Sequence, residues 1–357
     1  MSSDIESTCE LLKERFDRDA RFHYRKLIAS GSYGSAHHVR YTDPSRPDLT
    51  DFLVKKAFGN RDAMSMMRSE RQYLTRLRGA KHIVKILNIE NNPLVDDPEA
   101  FSIRRNSGTG EWIILEWIPN GTMADFIVNA SDLGVEYLPN RLLWRFFFCL
   151  VRACCGLAWP NNRTDDLVVD EVPVPGVPPS GIEHKDLHHG NILMGDFLPE
   201  PEHGISPIVK FVDFGLAGEW TFAHGAYRHG VARNVWDIGQ AMVKFITMNP
   251  YIRVSRPGEG QHTEINHMGV RIETMATAIL PVGSQGGPNP WLDDDLTFAV
   301  ARCLASDPGQ RPNLHTLFAW CSLAANRGED HYRGVATETD AVVKSLCQEI
   351  ITGPPRR

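Results

Sequence analysis

Apolar and polar positions alternate with a period of two in the first part of the chain and recur at helical spacing in most of the rest. Three runs near the start, residues 22–30, 35–41 and 51–58, carry the alternation that lets a strand bury one face, and each predicts a strand. Gly31-Ser32-Tyr33-Gly34 predicts the first turn between them, and the stretch around Pro44 and Pro47 a longer one. Ahead of these runs, Ile5, Cys9, Leu12 and Phe16 recur at helical spacing among charges, which predicts a short helix or ordered extension over residues 4–20. Residues 63–77 predict a helix whose apolar face is Met66, Met67, Tyr73, Leu74 and Leu77. Residues 83–89 and 112–117 predict two further strands, separated by a polar loop that includes residues 91–98 and 105–110.

After Pro119-Asn120-Gly121 the period becomes helical, with helices expected at 123–129, 140–159, 234–248, 266–279, 292–305 and 313–326 and a tail helix at 338–351. Pro160, Pro173, Pro175, Pro178 and Pro179 exclude a continuous helix between residues 160 and 181, so this stretch reads as a surface insertion. The expected organisation is an N-terminal extension (1–21), a strand-rich lobe (22–118), a helical lobe (119–326) and a C-terminal tail (327–357), with no internal repeat. The fold class is α+β and bilobal.

Composition narrows the function classes. A length of 357 residues supports two lobes with real cores, and a net charge of -6 argues against a protein built mainly to neutralise nucleic acid or an acidic membrane, so no nucleic-acid partner is expected. Seven cysteines form no CxxC pair or regular framework, as expected for reduced thiols. The charged N-terminus lacks an apolar signal core, and Arg145 and Arg152 interrupt the most apolar stretch, so neither secretion nor a membrane span is expected. These features predict an intracellular protein, cytoplasmic or nuclear.

Chemistry concentrates in His184-Lys185-Asp186-Leu187-His188-His189-Gly190-Asn191, followed downstream by Asp213-Phe214-Gly215. Phosphoryl transfer to an alcohol needs a carboxylate to orient the hydroxyl and hard oxygen ligands for magnesium. Asp186 suits the first task, and Asn191 and Asp213 the second. Gly31 and Gly34, flanking Ser32 and Tyr33 between two strands, would let backbone amides approach phosphates closely. His184 reads as a packed structural histidine beneath Phe214. His188 and His189 lack a nearby cysteine or acidic pair to complete a zinc site.

This order of motifs closely resembles eukaryotic protein kinases over residues 22–325. The resemblance implies a small strand-rich N-lobe with one main helix, a larger helical C-lobe, and ATP with magnesium between them. It implies that Lys55, in Phe52-Leu53-Val54-Lys55, contacts the nucleotide phosphates and pairs with Glu70, with Lys56 as the alternative register. It also implies that Ala36 and Leu53 lie beside the adenine, that Leu115 is the gatekeeper, and that the backbone of Glu116 and Ile118 pairs with the adenine edge. Cys303-Leu304-Ala305-Ser306-Asp307-Pro308-Gly309-Gln310-Arg311-Pro312 matches the C-terminal signature of protein kinases, which small-molecule phosphotransferases generally lack.

Departures bear on activity. Ala29 replaces the usual first glycine, His188 replaces a phosphate-contacting lysine, Lys185 an arginine, and Asn234 an aspartate. Residues 216–232 contain no APE motif, which leaves Arg311 without its usual glutamate and predicts weak control by phosphorylation at positions such as Thr221 and Tyr227. The implied function is a serine/threonine-type protein kinase acting on a protein substrate. The alternatives are a catalytically weak or inactive nucleotide-binding interaction module and a small-molecule phosphotransferase, whose loop Asp186-Leu187-His188-x-Gly190-Asn191 also resembles.

Overall fold

The computed structural model describes residues 2–94, 111–165, 167–220, 227–267, 269–280 and 287–353. Residues 95–98 and 105–110 of the polar loop, and Thr221, lie outside them. Strands β1 (Phe22–Ser30), β2 (Gly34–Tyr41), β3 (Asp51–Ala57) and β4 (Trp112–Glu116) form an antiparallel sheet in that order. The period-two pattern sorts the two faces of β3. Phe52, Val54 and Lys56 are buried on one face, while Leu53 and Lys55 point to the other. Helix α1 (Ser2–Phe16) covers the first of these, setting Leu12 and Phe16 against Phe22, Tyr41 and Phe52 in a small core of its own. The Phe16 and Phe22 rings stack with centroids 5.4 Å apart. Each such fully buried aromatic or leucine contributes about 1.5 to 3 kcal/mol, so α1 is an integral layer of the sheet.

Helix α2 (Arg61–Arg76) crosses the opposite side of the sheet and buries Ala63, Met67, Glu70 and Leu74. It begins where the Asn60 side chain accepts the Ala63 amide at 2.8 Å, satisfying one of the amides a helix start leaves without a partner. Residues 83–89 differ from expectation: they form single bridges rather than a strand. Val84 donates to the Phe211 carbonyl at 2.9 Å, whereas Leu87 donates to Ile114 and the Lys85 carbonyl accepts from Glu116, so the segment changes partners before a ladder can form.

The helical part is organised around α4 (Asn140–Ala158), buried along nearly its whole length, which follows α3 (Met123–Asp132). Thr122 and Asp125 form a reciprocal capping box at the start of α3. The start of α4 is capped from far away in sequence: Glu338 accepts the Asn140 amide at 2.7 Å and the Arg141 amide at 3.0 Å. A carboxylate at the positive end of a helix satisfies orphan amides and complements the dipole. Helices α5 (Tyr227–Ile246), α6 (Asp294–Cys303), α7 (Leu314–Ala325) and α8 (Asp340–Thr352) complete this part, and the Asn129 side chain of α3 donates to the Ile350 carbonyl of α8 at 3.1 Å.

Two short pairs carry the candidate loops: β5 (Ile182–Glu183) with β8 (Gly218–Glu219), and β6 (Ile192–Met194) with β7 (Val209–Phe211). The expected helix at 266–279 is instead a hairpin, β9 (Thr263–His267) and β10 (Val270–Thr274). Gly269, at φ +79°, makes its turn, and Ile265 faces Ile272 across it, an alternation that outweighs the helical reading. The proline-rich segment after α4 is more than a surface strap. Val169 bridges to Ala80 and Glu171 is buried, because its carboxylate is taken up by the backbone and ring of His82.

Candidate active site

The turn between β1 and β2 is held by the Gly31 amide donating to the Gly34 carbonyl at 2.9 Å. A Cβ on Gly34 would lie 2.2 Å from the Lys56 carbonyl, so the close approach of this turn to β3 requires glycine. Beneath it lies a cavity of about 310 Å³, lined by Ala29 through Ala36, Lys55, Ala63, Met66, Met67, Glu70, Asp213 and Gly215.

Lys55 Nζ lies 2.7 Å from Glu70 Oε2 on α2 and 2.7 Å from Asp213 Oδ1. Burial alone would depress this ammonium, but the two carboxylates outweigh it and hold Lys55 above its usual range. For Asp213 burial pulls upward, yet Lys55 wins and keeps the carboxyl below the usual carboxylate range. Lys56 takes the opposite side of β3, where it is buried, bonded to Thr8 at 3.2 Å and set 5.2 Å from the Trp112 ring.

The loop from His184 to Asn191 is fixed from below. The His184 amide donates to Asn234 Oδ1 at 3.1 Å, and Asn234 Nδ2 donates to the Ile182 carbonyl at 2.8 Å. An amide thus serves both ends where a carboxylate could only accept. His184 is fully buried; burial depresses it to about 4, so its neutral ring donates from Nε2 to the Val212 carbonyl at 2.9 Å, and it lies 4.6 Å from the Phe214 ring. In return the Val212 amide donates to the Asn191 carbonyl at 3.0 Å, locking this loop to the one carrying Asp213. Lys185 and Asp213 both take left-handed backbone conformations, at φ 65° and 64°.

Asn191 Nδ2 donates to Asp186 twice, to its carbonyl at 2.9 Å and to Oδ2 at 3.1 Å. The amide nitrogen is therefore committed to the loop. The oxygen is the atom left to face a hard cation, as an oxygen ligand set with Asp213 requires. His188 Nδ1 accepts the Gly190 amide at 3.0 Å, so the neutral ring carries its proton on Nε2, which is 3.9 Å from Asp186 Oδ2. His189 pairs with Lys244 at 3.2 Å rather than with His188 as a metal ligand.

The sequence-predicted residues thus separate into groups. Gly31, Ser32, Tyr33, Gly34, Ala36, Lys55, Glu70 and Asp213 share one cavity, and Asp186, His188 and Asn191 form a cluster bonded to the Asp213 loop. Leu53 is not among the residues of that cavity but packs against the main core. Glu116 and Ile118 line a second cavity of about 450 Å³ with Lys81, Lys85 and Lys210. There Glu116 Oε1 pairs with Lys210 at 2.7 Å, and its amide is taken by the Lys85 carbonyl at 2.9 Å. The sequence reading missed the Lys55–Asp213 contact and the lining residues Ala63 and Met66; the apolar face of α2 was the signal for the second.

Beyond Gly215, β8 pairs with β5, and Arg76 of α2 reaches Glu219 at 2.7 Å. Helix α5 then begins at Tyr227, earlier than expected, its Gly230 packed so closely on Gly181 that a Cβ would lie 2.5 Å from the Gly181 carbonyl. Arg311 finds partners without the usual glutamate: the carbonyls of Ala232 at 2.9 Å and Ala305 at 3.1 Å, and the Trp236 ring at 4.6 Å.

No family model matches this sequence, and no curated protein matches it either. Among solved structures, it is similar to a chain of the CAK (CDK-activating kinase) complex from Chaetomium thermophilum, solved bound to ATP-gamma-S. The similarity covers 90% of this chain and 95% of that one, at 16% identity and a TM-score of 0.53. The fold is kinase-like. This kinase-like chain is therefore α+β, with a strand-rich N-terminal sheet and helix followed by a helical C-terminal part, as the motif order implied. None of its described helices is long and apolar enough to cross a membrane.

Proposed function

We propose that this chain binds ATP with magnesium between its sheet and its helical part and transfers a phosphoryl group to a serine or threonine hydroxyl of a protein. The observation that carries the reading is Lys55 held by both Glu70 and Asp213, beside the loop that joins Asp186 to Asn191. An ammonium fixed in this way is poised against phosphate oxygens without reorganisation. Backbone amides within the Gly31-to-Gly34 turn cradle the phosphates and Ala36 lies beside the adenine, while Leu53 and the backbone of Glu116 and Ile118, which lie outside that cavity, meet the base only where it extends towards β4. Lys56, buried under α1, is left with a structural role.

Asn191 and Asp213 would hold magnesium, the oxygen of one and the ionised carboxylate of the other fitting a hard cation. Bound there, the metal supplies charge neutralisation for the phosphate oxygens. Asp186 orients the acceptor hydroxyl and accepts its proton. The Nε2 proton of His188 donates a hydrogen bond where a lysine would bring a full charge.

A protein acceptor is favoured over a small molecule by the segment from Cys303 to Pro312, whose Arg311 packs on Trp236 behind the candidate loop. Magnesium-dependent ATP turnover and autophosphorylation, compared between the parent and Asp186→Asn, test the reading. Turnover that falls in the variant supports it. ATP binding with equal, negligible turnover in both proteins would favour an interaction module.

A further inference from the structure

We propose that His82, Cys149 and His203 form a zinc site behind the catalytic cleft, with Glu202 on its open side. One ligand atom from each of the three lies within 4.8 Å of the others, and all three residues are buried. Cys149 Sγ is 4.0 Å from His203 Nδ1, and the two imidazole rings are tilted by 58° with centroids 5.3 Å apart. Glu202 Oε1 lies 3.9 Å from Nε2 of both histidines. Arg152 Nε lies 2.7 Å from the same oxygen, and its Nη2 donates to Oε2 at 2.9 Å.

Two further observations point to a cation. His82 Nε2 is fully buried and has no hydrogen-bond partner, an arrangement that is expensive unless something accepts its lone pair. On His203 the nitrogen offered to the metal is Nδ1, 4.0 Å from Cys149 Sγ, which leaves the buried Nε2 to carry the proton on the side of Glu202. His82 also donates from Nδ1 to Glu171, whose other oxygen takes the His82 amide at 2.9 Å. A carboxylate that fixes the far nitrogen of an imidazole, and so aims the near one, is the usual support of a metal-bound histidine. One thiolate and two imidazoles suit zinc better than magnesium or calcium. Ligand atoms around tetrahedral zinc lie roughly 3.5 Å apart, so binding draws the three side chains inward by about 0.5 to 1 Å.

The consequence would reach the active site. His82 accepts the Phe211 amide at 2.9 Å through its carbonyl, and Phe211 ends the strand that leads to Asp213. The metal would tie that strand to α4 and to the proline-rich segment.

Protein purified without a histidine tag should hold about one zinc per chain. After exchange to cobalt it should show visible ligand-field bands and a near-ultraviolet thiolate-to-metal band. Cys149→Ser should abolish the thiolate band and weaken metal binding at least tenfold, whereas the exposed His331→Ala should change neither. A parent protein with no bound zinc and no thiolate band on cobalt addition overturns the proposal without any variant, and so does a thiolate band that survives in Cys149→Ser.

Discussion

The cluster of Asp186, Asn191 and Asp213 and the cluster of His82, Cys149 and His203 stand before and behind strand β7, and they are built on opposite principles. The first is partly exposed and comes from two short stretches of sequence, each residue held by hydrogen bonds from its own loop. The second is fully buried and draws single residues from three separate segments, with Glu171 and Glu202 in support. A site proposed to admit a nucleotide keeps its polar groups near water, with their charges balanced by Lys55. A site that braces a core can bury them only if every lone pair finds a partner. The difference predicts that lesions in front cost turnover and leave stability intact, and that lesions behind do the reverse.

The largest expected effect is at the front. Asp186→Asn keeps the shape of the loop but removes the carboxylate proposed to take the hydroxyl proton, and should lower ATP turnover about 10³-fold. Thermal unfolding should barely move, because Asp186 is half-exposed. A large drop in melting temperature would break the comparison, since it would make Asp186 a structural group.

Lys55 and Lys56 repeat the contrast within a single strand. Lys55→Met should cost about 10²-fold in turnover through loss of a preorganised charge at the phosphates, measured as kcat with saturating ATP. Lys56→Met should leave kcat near that of the parent. Its cost should be about 1 kcal/mol of stability, from the lost contacts to Trp112 and Thr8. Equal kinetic losses in both variants would count against Lys55 as the phosphate-binding residue.

What was legible in the sequence follows the same division. The loop from His184 to Asn191, Asp213-Phe214-Gly215 and the glycine turn are each contiguous, so their residue types and order could be read along the chain. Strands β2 and β3 and helix α2 were legible because each buries one face of a regular period, whereas residues 83–89 carry a strand-like run that changes partners before a ladder forms. Nothing local marks Glu338 as the cap of α4, or His82 and Cys149 as neighbours, because these contacts exist only once distant segments pack. The hairpin at Thr263–Thr274 was misread as part of a helix because its apolar positions fit both periods over so short a run.

Buried histidines give the comparison a pH readout. Burial, reinforced by Lys56, depresses His37 to about 4, and burial does the same to His184. A folded-state pKa below the unfolded value of about 6.5 means stability that is fully present above pH 6.5 and lost as pH falls towards 4. Stability should therefore decline by about 2 kcal/mol per histidine between pH 6.5 and 5, followed by urea unfolding. His37→Gln, which lies in the sheet and away from the catalytic loop, should show a shallower decline. An unchanged slope would mean that His37 is charged in the folded protein.

The smallest effect expected concerns what His188 contributes to its loop. His188 carries its proton on Nε2 because Nδ1 accepts the Gly190 amide, so it can donate to a phosphate oxygen but adds no charge when neutral. His188→Lys restores the charge but gives up the bond to Gly190, which the histidine uses to stiffen the loop beside Asn191. The charge is worth more in the transition state than in the ground state, because the transferring group must be stabilised as it leaves. The loop bond is worth the same in both. The variant should therefore raise kcat several-fold, by less than about tenfold, with little change in the KM for ATP. A fall in kcat would show that the Gly190 contact positions the loop more effectively than a lysine charge can compensate.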